Sequence, residues 1–122
     1  IATRLRAHDA SVRIIAVEPA ESAVLSGGPS GSHKIEGVAP GFVMPLWQDG
    51  LADEIQTVSS EEAMAMARRL AREEAIFAGT STGANVAVAL RIAERLGPGH
   101  TVVTIAVDSG MKYLSTPLYG GA

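Results

Sequence analysis

The stretch Gly79-Thr80-Ser81-Thr82-Gly83-Ala84-Asn85 constrains this chain more than any other. It follows a short apolar run, Ala75 to Ala78, and opens a small-residue helical pattern near Ala84. Glycines around a hydroxyl residue at a strand-to-helix turn let backbone come close to a ligand. The first N–H groups of the helix there have no intrahelical partner. Two uses of the hydroxyls stay open. Ser81 or Thr82 caps the helix, or the Ser81 hydroxyl reaches a bound molecule.

The rest of the chain alternates strand and helix. Ile1 to Asp9 reads as the tail of a helix, and Val12 to Val17 as a β-branched strand stopped by Glu18-Pro19. Ser26 to Ser32 is a Gly, Ser and Pro-rich loop, either a plain connection or an active-site flap. Gly37 to Pro45 is irregular, and Trp47 reads as a packing or interface anchor. Ile55 to Val58 is a short strand, and Ser59 with Glu62 makes a Ser-x-x-Glu capping box. The helix it opens carries Ala63, Met66, Ala67, Leu70 and Ala71 on one stripe, with Arg68, Arg69, Arg72, Glu73 and Glu74 on a solvated face. A second long helix, Ala84 to Leu96, is apolar all round through Leu90 and ends at Gly97-Pro98. Thr101 to Val107 is an almost unbroken apolar strand, as in the interior of a parallel sheet. The expected class is α/β, a three-layer, mostly parallel sheet with helices on both faces.

Composition narrows the function. The 122 residues are 47% apolar but only 4% aromatic, a mix that suits parallel strands under close-packed helices. A formal charge of −3 without a Lys/Arg block argues against a nucleic-acid surface. Cysteine is absent, the three histidines have no metal spacing, and no apolar run reaches membrane-spanning length. Read as G-x-S-x-G, the heptad matches a hydrolase nucleophile elbow with Ser81 as nucleophile and Asp108 as the acid. That mechanism needs a histidine after the acid, yet His8, His33 and His100 all precede Asp108.

Four blocks point elsewhere. The heptad at Gly79 resembles the G-x-S-x-G-A turn of the cysteine synthase and cystathionine β-synthase family, the fold-type II pyridoxal phosphate enzymes. Lys34-Ile35-Glu36-Gly37-Val38-Ala39-Pro40-Gly41-Phe42-Val43 and Asp108-Ser109-Gly110-Met111-Lys112-Tyr113-Leu114-Ser115-Thr116 resemble two further segments of that family. Val17-Glu18-Pro19 resembles a fourth, and all four occur in the family's order and near its spacing.

The resemblance implies a tryptophan synthase β-like fold and pyridoxal 5'-phosphate as cofactor. It implies cysteine synthase-like β-replacement, in which an O-activated serine such as O-acetylserine and sulfide give cysteine. A cystathionine β-synthase-like enzyme is the alternative within the family, and the Ser81 hydrolase is the alternative outside it. The implied cofactor-binding residues are Ser81, Thr82, Gly37 and Asp108, with Ser81 at the pyridine nitrogen. For Asp108 the residues equally suggest a bond to the backbone of the Ser109-Gly110 turn. No catalytic residue is assigned, because the family's Schiff-base lysine lies in an early motif, and Lys34 and Lys112 do not match it. Both lysines are expected to be solvated. Residues 1–122 are thus expected to be the C-terminal part of the catalytic domain, inactive without the N-terminal half. A cytoplasmic homodimer, with serine acetyltransferase as a possible partner, completes what the resemblance implies.

Overall fold

A computed structural model describes residues 1–120. Five main elements follow one another. They are α1 (Ala2–His8), β1 (Ile15–Pro19), β2 (Glu54–Val58), α2 (Ser60–Glu73) and α3 (Thr80–Leu96). The two strands pair in parallel, from Ile15 opposite Glu54 to Pro19 opposite Val58. Asp53 pins the start of this pair, since its carboxylate accepts from the Ile14 N–H at 2.6 Å and from Arg6 at 2.8 Å.

The first strand runs later than the sequence suggests, through Glu18 and Pro19 rather than ending before them. Pro19 is its last residue, where a missing N–H costs the ladder little. Glu18 is 3% exposed, and its carboxylate takes the N–H groups of Leu25 and Ser26 at 2.8 and 2.9 Å. It thereby folds the following loop back onto the strand end.

Of the predicted capping box, one half forms. Ser59 Oγ accepts from the Glu62 N–H at 3.1 Å, but the Glu62 carboxylate turns to Arg91 at 2.6 Å and bridges α2 to α3. Glu21 caps the same helix end by accepting from the Ser60 N–H at 2.8 Å. The predicted apolar stripe is inside, with Ala63 and Ala67 fully buried. Arg68 leaves the predicted solvated face. It reaches the carbonyls of Pro117 and Leu118 at 2.6 and 2.8 Å, and so ties down the end of the chain.

Small residues let α2 and α3 approach closely. A Cβ at Gly83 would overlap the Ala63 carbonyl oxygen and stand 2.9 Å from the Ala67 nitrogen. The core gathers Ile35, Val58, Ala63, Ala84, Ala87, Val88 and Ile92, with Ile15 and Val17 packed against it. Gly97 ends α3 at φ 75°, as its sequence position requires.

Three further expectations differ from the structure. Ala75 to Ala78 is no strand: Ala75 turns left-handed at φ 57° and the Ile76 N–H returns to the Leu70 carbonyl, so the run serves to leave α2. Thr101 to Val107 forms no strand among the described residues, and Val103 is 84% exposed. The two-stranded sheet of the described residues offers it no neighbour. Leu90, expected inside, faces outward.

Candidate functional site

Ser81 lies in the first turn of α3 and is buried together with its neighbours Thr80 and Thr82. No side chain caps this helix; its N-cap is Gly79. The flanking hydroxyls instead hold two distant loops. Thr80 Oγ1 accepts from the Glu36 N–H at 3.2 Å, and Thr82 Oγ1 accepts from the Val107 N–H at 2.9 Å. Ser81, between them, has no hydrogen-bond partner for its hydroxyl among the described residues.

Three separate segments therefore meet at the head of α3. The Lys34–Gly37 segment is anchored by Ile35, 1% exposed, and by the Lys34 N–H on Ser60 Oγ at 2.8 Å. Within it Gly37 takes φ 81°, a conformation that favours glycine, and no atom lies within 4 Å of where its Cβ would stand. The constraint at Gly37 is thus conformational. On the other side, the Gly79 N–H donates to the Asp108 carbonyl at 3.3 Å, and the Gly110 N–H to the Phe77 carbonyl at 2.9 Å.

The Asp108 carboxylate does not turn to the Ser109-Gly110 backbone. Its Oδ2 accepts from the Tyr113 hydroxyl at 2.7 Å and from Lys112 Nζ at 3.0 Å, while Oδ1 is buried without a partner. Burial works to raise the Asp108 pKa, but the Tyr113 hydroxyl and Lys112 outweigh it and hold the acid below its usual range. Lys112 is exposed yet paired, not simply solvated.

Tyr113 is the residue that sequence reasoning passed over. It is 3% exposed, and burial, followed by the Asp108 carboxylate, pushes its hydroxyl up to about 12. The only signal for it is its place five residues after an acid within a turn-rich block.

None of the histidines hydrogen-bonds Ser81 among the described residues. The His33 ring is engaged at the Ala39 carbonyl, 3.1 Å away, and at the Ile35 N–H. No group of three or more His, Cys, Asp or Glu among the described residues could hold a metal ion. Among the described residues, no helix is long and apolar enough to cross a membrane.

Residues 1–108 match the family described as pyridoxal-phosphate dependent enzyme. The chain belongs to that family. A cysteine synthase of Staphylococcus aureus is 46% identical over 109 residues, covering 89% of this chain and 35% of the relative. The chain therefore spans about a third of the length of that curated relative. The crystal structure of a cysteine synthase from Entamoeba histolytica overlays with a TM-score of 0.91 at 37% identity, covering 99% of this chain and 36% of the other. That of an O-ureido-L-serine synthase overlays with a TM-score of 0.93 at 41% identity, covering 98% and 38%. The chain thus has the α/β architecture of the fold-type II pyridoxal phosphate enzymes. The family's cofactor is pyridoxal phosphate.

Proposed function

We propose that the protein takes part in cysteine synthase-like β-replacement, joining an O-activated serine such as O-acetylserine to sulfide. In this reading, residues 1–122 form one wall of the cofactor pocket within the C-terminal part of a larger catalytic domain. The observation that carries it is Ser81, 5% exposed as a residue at the head of α3, whose hydroxyl has no hydrogen-bond partner among the described residues. A hydroxyl left free in this way can donate a hydrogen bond, and an acceptor nitrogen on an aromatic ring edge would take it.

The residues fit the group. Ser81 would donate to the pyridine nitrogen of pyridoxal phosphate, with Thr80 and Thr82 locked by their own loops on either side. Gly37 keeps the facing turn free of a side chain, and Asp108 closes the other flank. When bound, pyridoxal phosphate supplies an electron sink for loss and replacement of the Cβ substituent. Ser81, being neutral, does not hold the ring nitrogen protonated as a carboxylate would. It thereby favours β-elimination over reactions that need the stronger sink.

The same reading places the protein in the cytoplasm as a homodimer, with the C-terminal tail of serine acetyltransferase as a candidate partner. Leu46, 85% exposed, with Met44 and the half-buried Trp47, offers apolar surface for a self-contact.

The test uses the natural gene product. Its denatured mass is read after borohydride reduction, and cysteine formation is assayed from O-acetylserine and sulfide. A chain longer than 122 residues with a pyridoxyl-lysine adduct and cysteine synthesis is expected. Absence of the adduct, or fluorophosphonate labelling at Ser81, would overturn the reading in favour of a non-catalytic binder or a hydrolase.

A further inference from the structure

The strap from Val107 to Tyr113 closes over the head of α3, and its contacts fall on both sides of Ser81. After Ser81, the Val107 N–H is held by Thr82 Oγ1. Before it, the Gly79 N–H donates to the Asp108 carbonyl. The side chains of Asp108 and Tyr113 fill the space beneath Gly79. A Cβ there would overlap Asp108 Oδ1 and stand 2.5 Å from Tyr113 Cε2 and 2.9 Å from Tyr113 Cζ. The carboxylate is kept in that place by the Tyr113 hydroxyl, 2.7 Å from Oδ2. No hydrogen bond among the described residues fixes the Ser81 side chain. Its place is therefore set by the backbone path from Gly79 to Thr82, and that path is set by the strap.

We propose that Tyr113 is a positioning residue for Ser81, acting through Asp108 and Gly79 to aim the Ser81 hydroxyl at the ring nitrogen of the cofactor. This rests on the reading of Ser81 given above. Tyr113 suits the task because its ring is clamped inside and its hydroxyl can only donate to Asp108 while it keeps its proton. With its pKa at about 12, it keeps that proton across the working range of any ordinary enzyme. Asp108 is the acceptor in the pair, and its buried Oδ1 is spent on shape, pressed against Gly79.

The natural gene product, its Tyr113→Phe and Ser81→Ala variants, and the double variant form a cycle. The affinity for pyridoxal phosphate and the absorption band of the bound cofactor are read for each. Tyr113→Phe removes one hydrogen bond and keeps the ring, so the fold survives; circular dichroism checks this. An ordinary hydrogen bond corresponds to about a 5-fold loss of affinity, with the band moving in the direction it moves in Ser81→Ala. In the Ser81→Ala background the same substitution is expected to change affinity by less than about 2-fold, because residues acting along one route are not additive. Equal losses in both backgrounds would make Tyr113 purely structural and overturn the proposal while leaving Ser81 in its role. A Ser81→Ala variant with the parent's affinity and band would instead overturn the Ser81 reading on which the proposal rests.

Discussion

Gly79 has little room to change. A methyl group there runs into Asp108 and Tyr113, both held by a 2.7 Å hydrogen bond. Gly79→Ala is therefore expected to destabilise the protein by about 1–3 kcal/mol, the usual cost of overpacking, measured by urea unfolding. Burial of Tyr113, together with its hydrogen bond to Asp108, also predicts a pH response. Tyr113 rises from 10.0 to about 12 on folding. Its contribution is thus fully present below pH 10 and is lost as pH rises through about 12. Tyr113→Phe should flatten that alkaline loss in a pH series of thermal melts; an unchanged alkaline limb would refute the pairing. Ser81, Gly37 and Asp108 could be proposed from sequence through the resemblance to the family. Tyr113 and Glu18 could not. Their roles depend on which N–H or carboxylate the fold brings beside them, and one-dimensional spacing carries no such information.

At the scale of elements, the contact between α2 and α3 decides where the site stands, because α3 carries Ser81 at its head. Gly83 is the point of closest approach, with the Ala63 carbonyl in the place of its Cβ. Gly83→Ala should push α3 away from α2. A loss of about 1–3 kcal/mol in unfolding is expected, together with weaker binding of pyridoxal phosphate. A variant that melts like the parent would show that the helices are not in contact there. At the other end of α3, Arg95 holds Glu54 of β2 at 2.7 Å, and this pairing leads the causes that lower Glu54 to about 2. The contribution is present above pH 4.5 and is lost as pH falls through about 2. The pair is exposed, so its effect is small and screened by salt. The two long helices were legible, α2 from its apolar stripe and Ser59 cap and α3 from its Gly97 end, although α3 starts at Thr80 and not at Ala84, where the apolar pattern begins. The Ala75–Ala78 run keeps only an isolated antiparallel bridge, Ala78 to Ser109, and Thr101–Val107 forms no strand among the described residues. A β-branched or apolar run states only that a segment can extend, and for Thr101–Val107 the described residues provide no strand to pair with.

For the whole molecule, the blocks that resemble the family are far apart in sequence yet three of them converge on one helix end. That convergence was not legible in the sequence, although membership of the family was. The exposed apolar side chains tell the complementary story. Val103, Ile105 and Val107 stand at every second position of the Thr101–Val107 segment and are 84%, 52% and 55% exposed, while Val102 beside them packs on the core. Soluble proteins rarely leave such a run uncovered. In a protein as long as its cysteine synthase relatives, of which this chain spans 35%, a neighbouring strand would cover it. The isolated 122-residue chain should therefore bind a hydrophobic dye and self-associate, and it should form no cysteine from O-acetylserine and sulfide. Replacing both Val103 and Ile105 with Lys should make the isolated chain more soluble and reduce dye binding. In the natural gene product the same pair of substitutions should lower the melting temperature, since two lysines would then lie inside a sheet. Greater solubility in both contexts, with no loss of stability in the longer protein, would mean that this segment faces solvent in the native enzyme.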